Sequence, residues 1–386
     1  MRGMIKKRYK GSWSVVFDVH DEAGNRKRRW VTVKGTKKDA EDKLIEILRS
    51  MKTNTYVDAS KMTAGEYLEQ WWPVAKTAKR AGTVERYQSI IDRRMKDSVV
   101  AKMPLQKIRP LHMEQYHAAH SSLAAGTLGL DHAIWHSMFE TAVRDKLIAD
   151  NPAAKIRRLR RDRDRSTEAQ KHAWNKDEVA RFIAAAKKAG PQAAAFYTLA
   201  VDSGMRKSEL GGLRWANVDL DGAKVSVVEQ LTKSGKHPEW GPTKTGKPRT
   251  IAIGAETVAL LREHRRTQAE LKMKNRASYA DNGLVFAKEW GDVRRHGEHL
   301  GEPLQLNNIG QREYERLIKD AKVRRIKFHG LRHTCATLLL QARVPVHVVS
   351  ERLGHSKVTM TLEVYAHVLP DMQTEAAATL GALLHG

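Results

Sequence analysis

Trp13, Val15, Phe17 and Val19 alternate with less apolar neighbours, the two-residue period of a strand with one buried face. Asp21-Glu22-Ala23-Gly24-Asn25 is a turn signal, and Arg28-Arg29-Trp30-Val31-Thr32-Val33 reads as the returning strand. A third strand over residues 4–9 completes the sheet. Thr36 and Asp39 stand at capping-box spacing before a helix that carries Ala40, Leu44, Ile47 and Leu48 on one side. Residues 1–58 are thus predicted to form a small α+β unit, a three-stranded sheet backed by one helix.

From Thr63 the period becomes helical. Thr63 and Glu66 repeat the capping-box spacing, Tyr67 and Trp71 face one way, and Pro73 is expected to stop the helix. Thr83 is read as the start of the next, with Val84, Tyr87, Ile91 and Met95 as its stripe. A third begins near Pro110, and a fourth runs through Ile134, Met138, Val143 and Leu147 to a predicted end at Asn151-Pro152. Residues 61–154 therefore read as an all-α bundle whose aromatics fill its core. Residues 155–173 are a linker, with seven basic residues in the eleven from Lys155 to Arg165 and little to bury. Residues 174–386 form a mixed, mainly helical domain. Helices are predicted at 176–189, 191–203, 307–321, 329–342, 345–352 and 357–369. Strands at 224–230 and 249–253 flank a Gly/Pro/Lys loop, and Leu284-Val285-Phe286 is a short apolar run.

Charge changes the picture more than composition does. Apolar residues make up 41% of the 386, enough for real cores, but 69 Lys+Arg stand against 44 Asp+Glu, a net charge of +25. Such an excess calls for a polyanion, with nucleic acid ahead of an anionic membrane surface. No apolar run approaches the ~18 residues of a membrane span, and the basic N-terminus lacks the apolar stretch of a secretory signal. With one cysteine, Cys335, an internal disulfide and a multi-cysteine zinc site are excluded. Lys6, Lys7, Arg8, Lys10, Arg26, Lys27, Arg28 and Arg29 cluster on the first unit, and a basic ribbon of strands fits a DNA major groove. Arg157, Arg158, Arg160 and Arg161 of the linker suit a phosphate backbone.

Some motifs fail on inspection. Residues 241–247, GPTKTGK, resemble a phosphate loop, but Pro248 replaces the metal-binding hydroxyl and a strand follows where a helix is needed. His112, Tyr116 and His120 share a helix face, as do His132 and His136, without the glutamate or further ligands of a metal site. Cys335 falls in the apolar stripe of Leu331, Leu338 and Leu339 and reads as a buried structural thiol.

Five segments near the C-terminal end survive together. They are Ser203-Gly204-Met205-Arg206-Lys207-Ser208-Glu209-Leu210 at a helix–helix junction, Thr243-Lys244-Thr245-Gly246-Lys247 read as a hairpin tip, His329-Gly330-Leu331-Arg332-His333 opening a helix, the turn Leu353-Gly354-His355-Ser356, and Tyr365. Each alone has an ordinary structural explanation. Their order, Arg, Lys, His-x-x-Arg, Gly-His, Tyr, resembles the tyrosine recombinases of the phage-integrase family from about Thr63 to the end. The first unit is similar, less specifically, to that family's arm-binding domain. Gly330 stands where many relatives have Asp, an exchange expected to be inconsequential.

The resemblance implies residues 1–58 as an arm-type DNA-binding domain, 61–154 as a core-binding domain and 174–386 as the catalytic domain. It implies Tyr365 as nucleophile, Arg206 and Arg332 as a clamp on the nonbridging phosphate oxygens, and His355 as a further donor to them. His329 is the implied proton acceptor, Lys244 the acid for the departing 5′-hydroxyl, and Glu209 an orienting partner. Cleavage leaves a 3′-phosphotyrosyl bond that keeps the phosphodiester's energy, so neither ATP nor a metal cofactor is implied. The implied partners are attachment sites in double-stranded DNA of core and arm type, and a homotetramer working through a Holliday junction, with a host DNA-bending protein and an excision factor as further candidates. The implied place is the bacterial host cytoplasm, at the nucleoid. The apolar segment 372–384 resembles a tail that docks on a neighbouring subunit, packing on its own domain being the alternative. A type IB topoisomerase, which relaxes one duplex without recombinant product, and an inactive DNA-binding regulator are the competing readings.

Overall fold

A computed structural model of the chain describes residues 3–20, 25–53, 56–154, 156, 172–234, 237–289, 299–309, 311–365 and 373–385. The turn at 21–24, most of the basic linker including Arg157, Arg158, Arg160 and Arg161, and residues 366–372 lie outside the described residues. The chain divides into two compact units, Met1–Arg161 and Asp162–Gly386.

In the first unit β1 (Gly3–Tyr9), β2 (Ser12–His20) and β3 (Arg26–Lys34) form an antiparallel sheet in that order. Val15 and Phe17 point to the face covered by α1 (Lys37–Lys52), against Ala40 and Ile47. Thr36 and Asp39 close the predicted capping box. The register sets Met4 opposite Val16 and Val16 opposite Trp30 on the other face. α1 lies on the opposite face from these, and Trp30 and Met4 on this one are exposed.

The bundle that follows has α2 (Ala64–Ala75), α3 (Ala81–Ile90), a π-helical turn (Ile91–Met95), α4 (Val99–Lys102), α5 (Pro110–Ala119) and α6 (Ala125–Arg144). Tyr67, Trp71, Trp72, Tyr116, Trp135 and Phe139 are buried in one core, as the periodicity predicts. Three boundaries differ. Pro73 lies inside α2, which runs on to Ala75, so the proline does not stop the helix where the sequence places its end. Thr83 is the third residue of α3, whose N-cap is Arg80. The helix through Ile134 ends at Arg144, well before Asn151: Lys146 takes a positive φ of 56°, and the Leu147 and Lys146 amides donate to the Ala142 and Val143 carbonyls. The buried Asp131 is held by Arg94 through two 2.7 Å bonds.

The second unit packs α7 (Lys176–Ala189), α8 (Pro191–Ser203), the short α9 (Lys207–Gly211), α10 (Ala255–Lys274) and α11 (Arg312–Asp320) around Phe182, Leu199, Leu261, Phe286 and Leu317. The segment 224–230 is two strands, not one. β5 (Lys224–Val227) joins β4 (Val218–Asp219) and β8 (Arg249–Ala252), while β6 (Glu229–Lys233) leaves for a separate hairpin with β7 (Glu239–Pro242). Residues 243–247 therefore link two sheets and are not the tip of a hairpin; Thr243 is buried there and donates to the Lys247 carbonyl at 2.9 Å. The run 284–286 is buried and is joined to the rest by a bridge from Leu284 to Arg214 and by the Val285 amide donating to the Leu213 carbonyl at 2.8 Å, without being part of a named strand. Then come α12 (His329–Gln341), α13 (Val346–Leu353), α14 (Val358–Tyr365) and α15 (Gln373–His385). Among the described residues no helix is long and apolar enough to cross a membrane.

Candidate active site

Two glycines in left-handed geometry set up the site. Gly204 (φ 63°) ends α8 and Gly354 (φ 64°) ends α13. A Cβ on Gly204 would stand 2.6 Å from Leu353 Cδ2, so the two turns are packed together. Their carbonyls accept from the two arginines: Arg332 Nη1 donates to Gly204 O at 2.8 Å and Arg206 Nη2 to Gly354 O at 3.2 Å. Arg332 is buried, yet its Nη2 has no hydrogen-bond acceptor among the described residues. Burial, then the neighbouring Arg206, lowers its pKa to about 10, so it stays charged at neutral pH.

Glu209 is completely buried beneath this pair. It accepts from the Arg206 amide at 2.9 Å and from Arg206 Nη1 at 2.8 Å. Arg249, on β8, adds Nη2 at 2.7 Å and Nη1 at 3.1 Å and sends its Nε to the Arg352 carbonyl at 2.9 Å. Burial alone would raise the Glu209 carboxyl, but the Arg249 bonds and charge with the Arg206 contacts outweigh it and hold the pKa at about 2. One carboxylate is thus shared by two guanidiniums, leaving a net positive charge facing Arg332.

The histidines gather around that charge. His355 is turned back past Gly354, its amide donating to Ser350 O at 3.0 Å and its Nδ1 hydrogen-bonded to Thr361 Oγ1 at 2.7 Å. Burial, followed by Arg332 and Arg206, lowers its pKa to about 4. His329 opens α12 at the surface. Crowding of its ring, then Arg332, Arg206 and Lys244, lower its pKa as well, and its exposed edge tempers that shift through solvent screening. Lys244 is exposed on the link between the sheets, and its electrostatic coupling to His329 brings it to the same cluster.

Tyr365 ends α14, buried against Ala336, Leu340, Val349 and Leu353. Burial pushes its phenol well above the usual range, and Arg332 partly offsets this. Its hydroxyl meets His333 Nδ1 at 2.6 Å. His329 touches the His333 ring edge-on, with centroids 5.1 Å apart.

All seven residues picked out in the sequence, Arg206, Glu209, Lys244, His329, Arg332, His355 and Tyr365, thus fall in one cluster of the second unit. Two neighbours, Arg249 and His333, did not emerge from the sequence. The segment His329-Gly330-Leu331-Arg332-His333 contains the second, but its His-x-x-Arg order picks out His329 and Arg332 and not the ring that follows. Nor is Gly330 inconsequential: a Cβ there would stand 2.5 Å from the His172 carbonyl, so an aspartate would not fit without a shift of backbone. Cys335 is buried, donates to the Asp202 carbonyl at 3.3 Å, and burial raises its pKa to about 11. The basic residues of the sheet separate by strand alternation. Lys6, Arg8, Arg26 and Arg28 share the face of Trp30, where Asp18 pairs with Arg26 and Arg28. Lys7, Lys27 and Arg29 lie on the helix side, where Arg29 is bonded to Asp58 at 2.6 and 3.1 Å, and Lys10 is in the β1–β2 turn.

Several known proteins resemble this chain. The sequence model of the phage integrase family matches residues 173–372, and that of the phage integrase N-terminal SAM-like domain matches residues 63–119. A tyrosine recombinase XerC-like protein of Caldanaerobacter subterraneus subsp. tengcongensis is 28% identical over 365 residues, 90% of either chain. An integrase of Streptomyces ambofaciens is 24% identical over 365 residues, 91% of this chain and 88% of its own. Among solved structures, the Tn1549 transposon integrase in complex with a circular intermediate DNA superposes with a TM-score of 0.64 at 19% identity, over 82% of this chain and 99% of that one. A lambda integrase tetramer bound to a Holliday junction gives 0.54 at 17% identity, over 92% and 96%. At such identities the structural likeness is one of fold. The family match spans more than half of the chain and contains the whole arginine–histidine–tyrosine cluster: the chain belongs to the phage integrase family of tyrosine recombinases.

Proposed function

We propose that this chain is a site-specific DNA recombinase in which Tyr365 attacks a phosphodiester gripped by Arg206 and Arg332. The observation that carries the reading is the buried Arg332 guanidinium with an unmatched Nη2, beside Arg206 and within the field that acts on Tyr365. A buried donor without an acceptor costs free energy, and a nonbridging phosphate oxygen is an acceptor of the right charge. In the five-coordinate transition state those oxygens gain charge, so fixed cations stabilise it more than the ground state; a lost donor of this kind costs ~10²–10³ in rate. His355, anchored by Thr361, adds a donor to the same phosphate. Lys244 protonates the departing 5′-oxygen, and the 3′-phosphotyrosyl bond then accepts a partner strand's 5′-hydroxyl in the reverse chemistry.

Two duplexes need four such sites, so the acting form is a tetramer on a Holliday junction. The exposed Leu380, Leu383 and Leu384 of α15 give a subunit an apolar tail to lay on its neighbour. The open face of the β1–β3 sheet serves arm-type DNA, and the bundle and linker serve core-type DNA. The place of action is DNA in a bacterial cytoplasm.

The test uses nicked fragments of the DNA flanking the gene, incubated with wild type and Tyr365→Phe. The expected result is an SDS-resistant protein–DNA complex from wild type alone, with DNA binding equal in both. A complex that persists in Tyr365→Phe would refute the assignment of the nucleophile.

A further inference from the structure

The phenol that must lose a proton is not placed against His329. Its partner is His333, one helical turn further along α12, whose ring meets that of His329 edge to face on the same side of the helix. Tyr365 Oη and His333 Nδ1 are 2.6 Å apart, a short bond for a neutral pair, while the two rings lie 5.7 Å apart and tilted by 55°. The Tyr365 ring is walled in by Leu340, Val349 and Leu353, which leaves the hydroxyl little freedom to turn elsewhere.

We infer that His333 is a catalytic residue of the strand-transfer reaction proposed above: it aims the Tyr365 hydroxyl, accepts its proton during cleavage and returns it during rejoining. In cleavage the Tyr365 O–H bond breaks and its proton moves to His333 Nδ1. The phenolic oxygen forms the bond to phosphorus, and the bond from phosphorus to the 5′-oxygen breaks, that oxygen taking a proton from Lys244. Rejoining runs each transfer backward. His329 is left to serve the phosphate and its surrounding charge.

The surroundings suit this role. The groups that face His333 are His329 and Arg332 of its own helix, His172 before α7, His355 after α13, and Tyr365. Burial first, then His329, Arg332 and His172, lower its pKa to about 4, so without DNA the ring is neutral and can offer the Nδ1 lone pair to the phenol. A DNA phosphate seated on Arg206 and Arg332 brings a negative charge into that group of cations. It offsets the part of the shift that comes from neighbouring positive charge, so proton affinity is higher where the scissile bond is present than where it is not.

Three chains separate aiming from proton acceptance: wild type, His333→Asn, whose amide oxygen can still accept a hydrogen bond but not a proton, and His333→Gln as a second variant should the first fold poorly. Each is made with tyrosine or with 3,5-difluorotyrosine at position 365, whose phenol gives up its proton more readily. The rate of covalent complex formation is measured on the nicked fragment that wild type cleaves. The expected result is a ~10²–10⁴-fold loss in the His333 variants with tyrosine, most of it recovered with difluorotyrosine, at unchanged DNA affinity. Cleavage within about threefold of wild type, or a loss that difluorotyrosine does not recover, would overturn the inference while leaving Tyr365 as nucleophile. Failure of wild type itself to form a complex would overturn the proposed function, and this inference with it.

Discussion

Replacing Arg249 with alanine tests the electrostatic foundation of the site without touching a residue assigned to the phosphate. Glu209 has no exposed surface, and four of the bonds it accepts come from Arg206 and Arg249. The substitution removes two of them, and it also frees the Arg352 carbonyl that Arg249 Nε holds. Breaking a buried ion pair from one side costs ~3–5 kcal/mol, because the remaining charge is left uncompensated. The carboxyl points the same way: Arg249 and Arg206 together hold its pKa at about 2 against an ordinary 4.5 despite its burial, so its ionised form stabilises the fold. Because the folded pKa lies below the unfolded one, that stability is present in full above about pH 4.5 and fades as pH falls toward 2. Equilibrium urea unfolding of the full chain and Arg249→Ala should therefore show a deficit of about 3 kcal/mol near neutral pH. The deficit should shrink steadily as the pH is taken below 4.5. A deficit under ~1 kcal/mol, or one that does not narrow in acid, would refute the view of Glu209 as a buried anion that needs both arginines.

Two further outcomes follow from the geometry. Lys244→Ala should slow cleavage of an ordinary strand, and a 5′-thio leaving group, which needs little protonation, should restore it; absence of rescue on the suicide fragment would move the acid elsewhere. Neutralising Lys6, Arg8 and Arg28 together, on the open face of the sheet, should weaken arm-type DNA binding and flatten its salt dependence by ~0.9 in log–log slope for each phosphate left without its cation. Neutralising Lys7 and Lys27 on the helix side should change that slope little, and equal effects in a salt titration would place the DNA on neither face in particular.

Periodicity and capping signals made most of the helices legible, with the Thr36 and Thr63 capping boxes now visible as paired bonds. What escaped has physical reasons. α10 buries Thr257, His264 and Gln268 beside Leu260 and Leu261, so a hydrophobic stripe does not advertise it. The helix containing Ile134 ends in a turn made by Lys146, a residue that rarely takes positive φ, and nothing in its side chain announces the stop. The strand pairing of residues 224–252 depends on Val228 switching the chain from one sheet to another, which alternation alone does not report. In the site, residues that recur in a recognisable order could be read along the chain. Arg249 could not, since it meets Glu209 from 40 residues away. His333 lay in plain view, but only α14 folding back onto α12 reveals which histidine the tyrosine reaches. The division of the basic residues between two faces was within reach, since alternation along β3 already separates Arg28 from Arg29.

The anchoring of the two arginines on the Gly204 and Gly354 carbonyls bears on how such a site withstands change over time. A main-chain carbonyl is the same group whatever side chain its neighbours carry. Placement of the guanidiniums is therefore largely indifferent to drift in the surrounding sequence, so long as the two left-handed turns persist. Tolerance is wide around them and narrow at two positions. Most side chains of the second unit can change while the two guanidiniums stay where they are, yet a single methyl group at Gly204 or Gly354 would displace them.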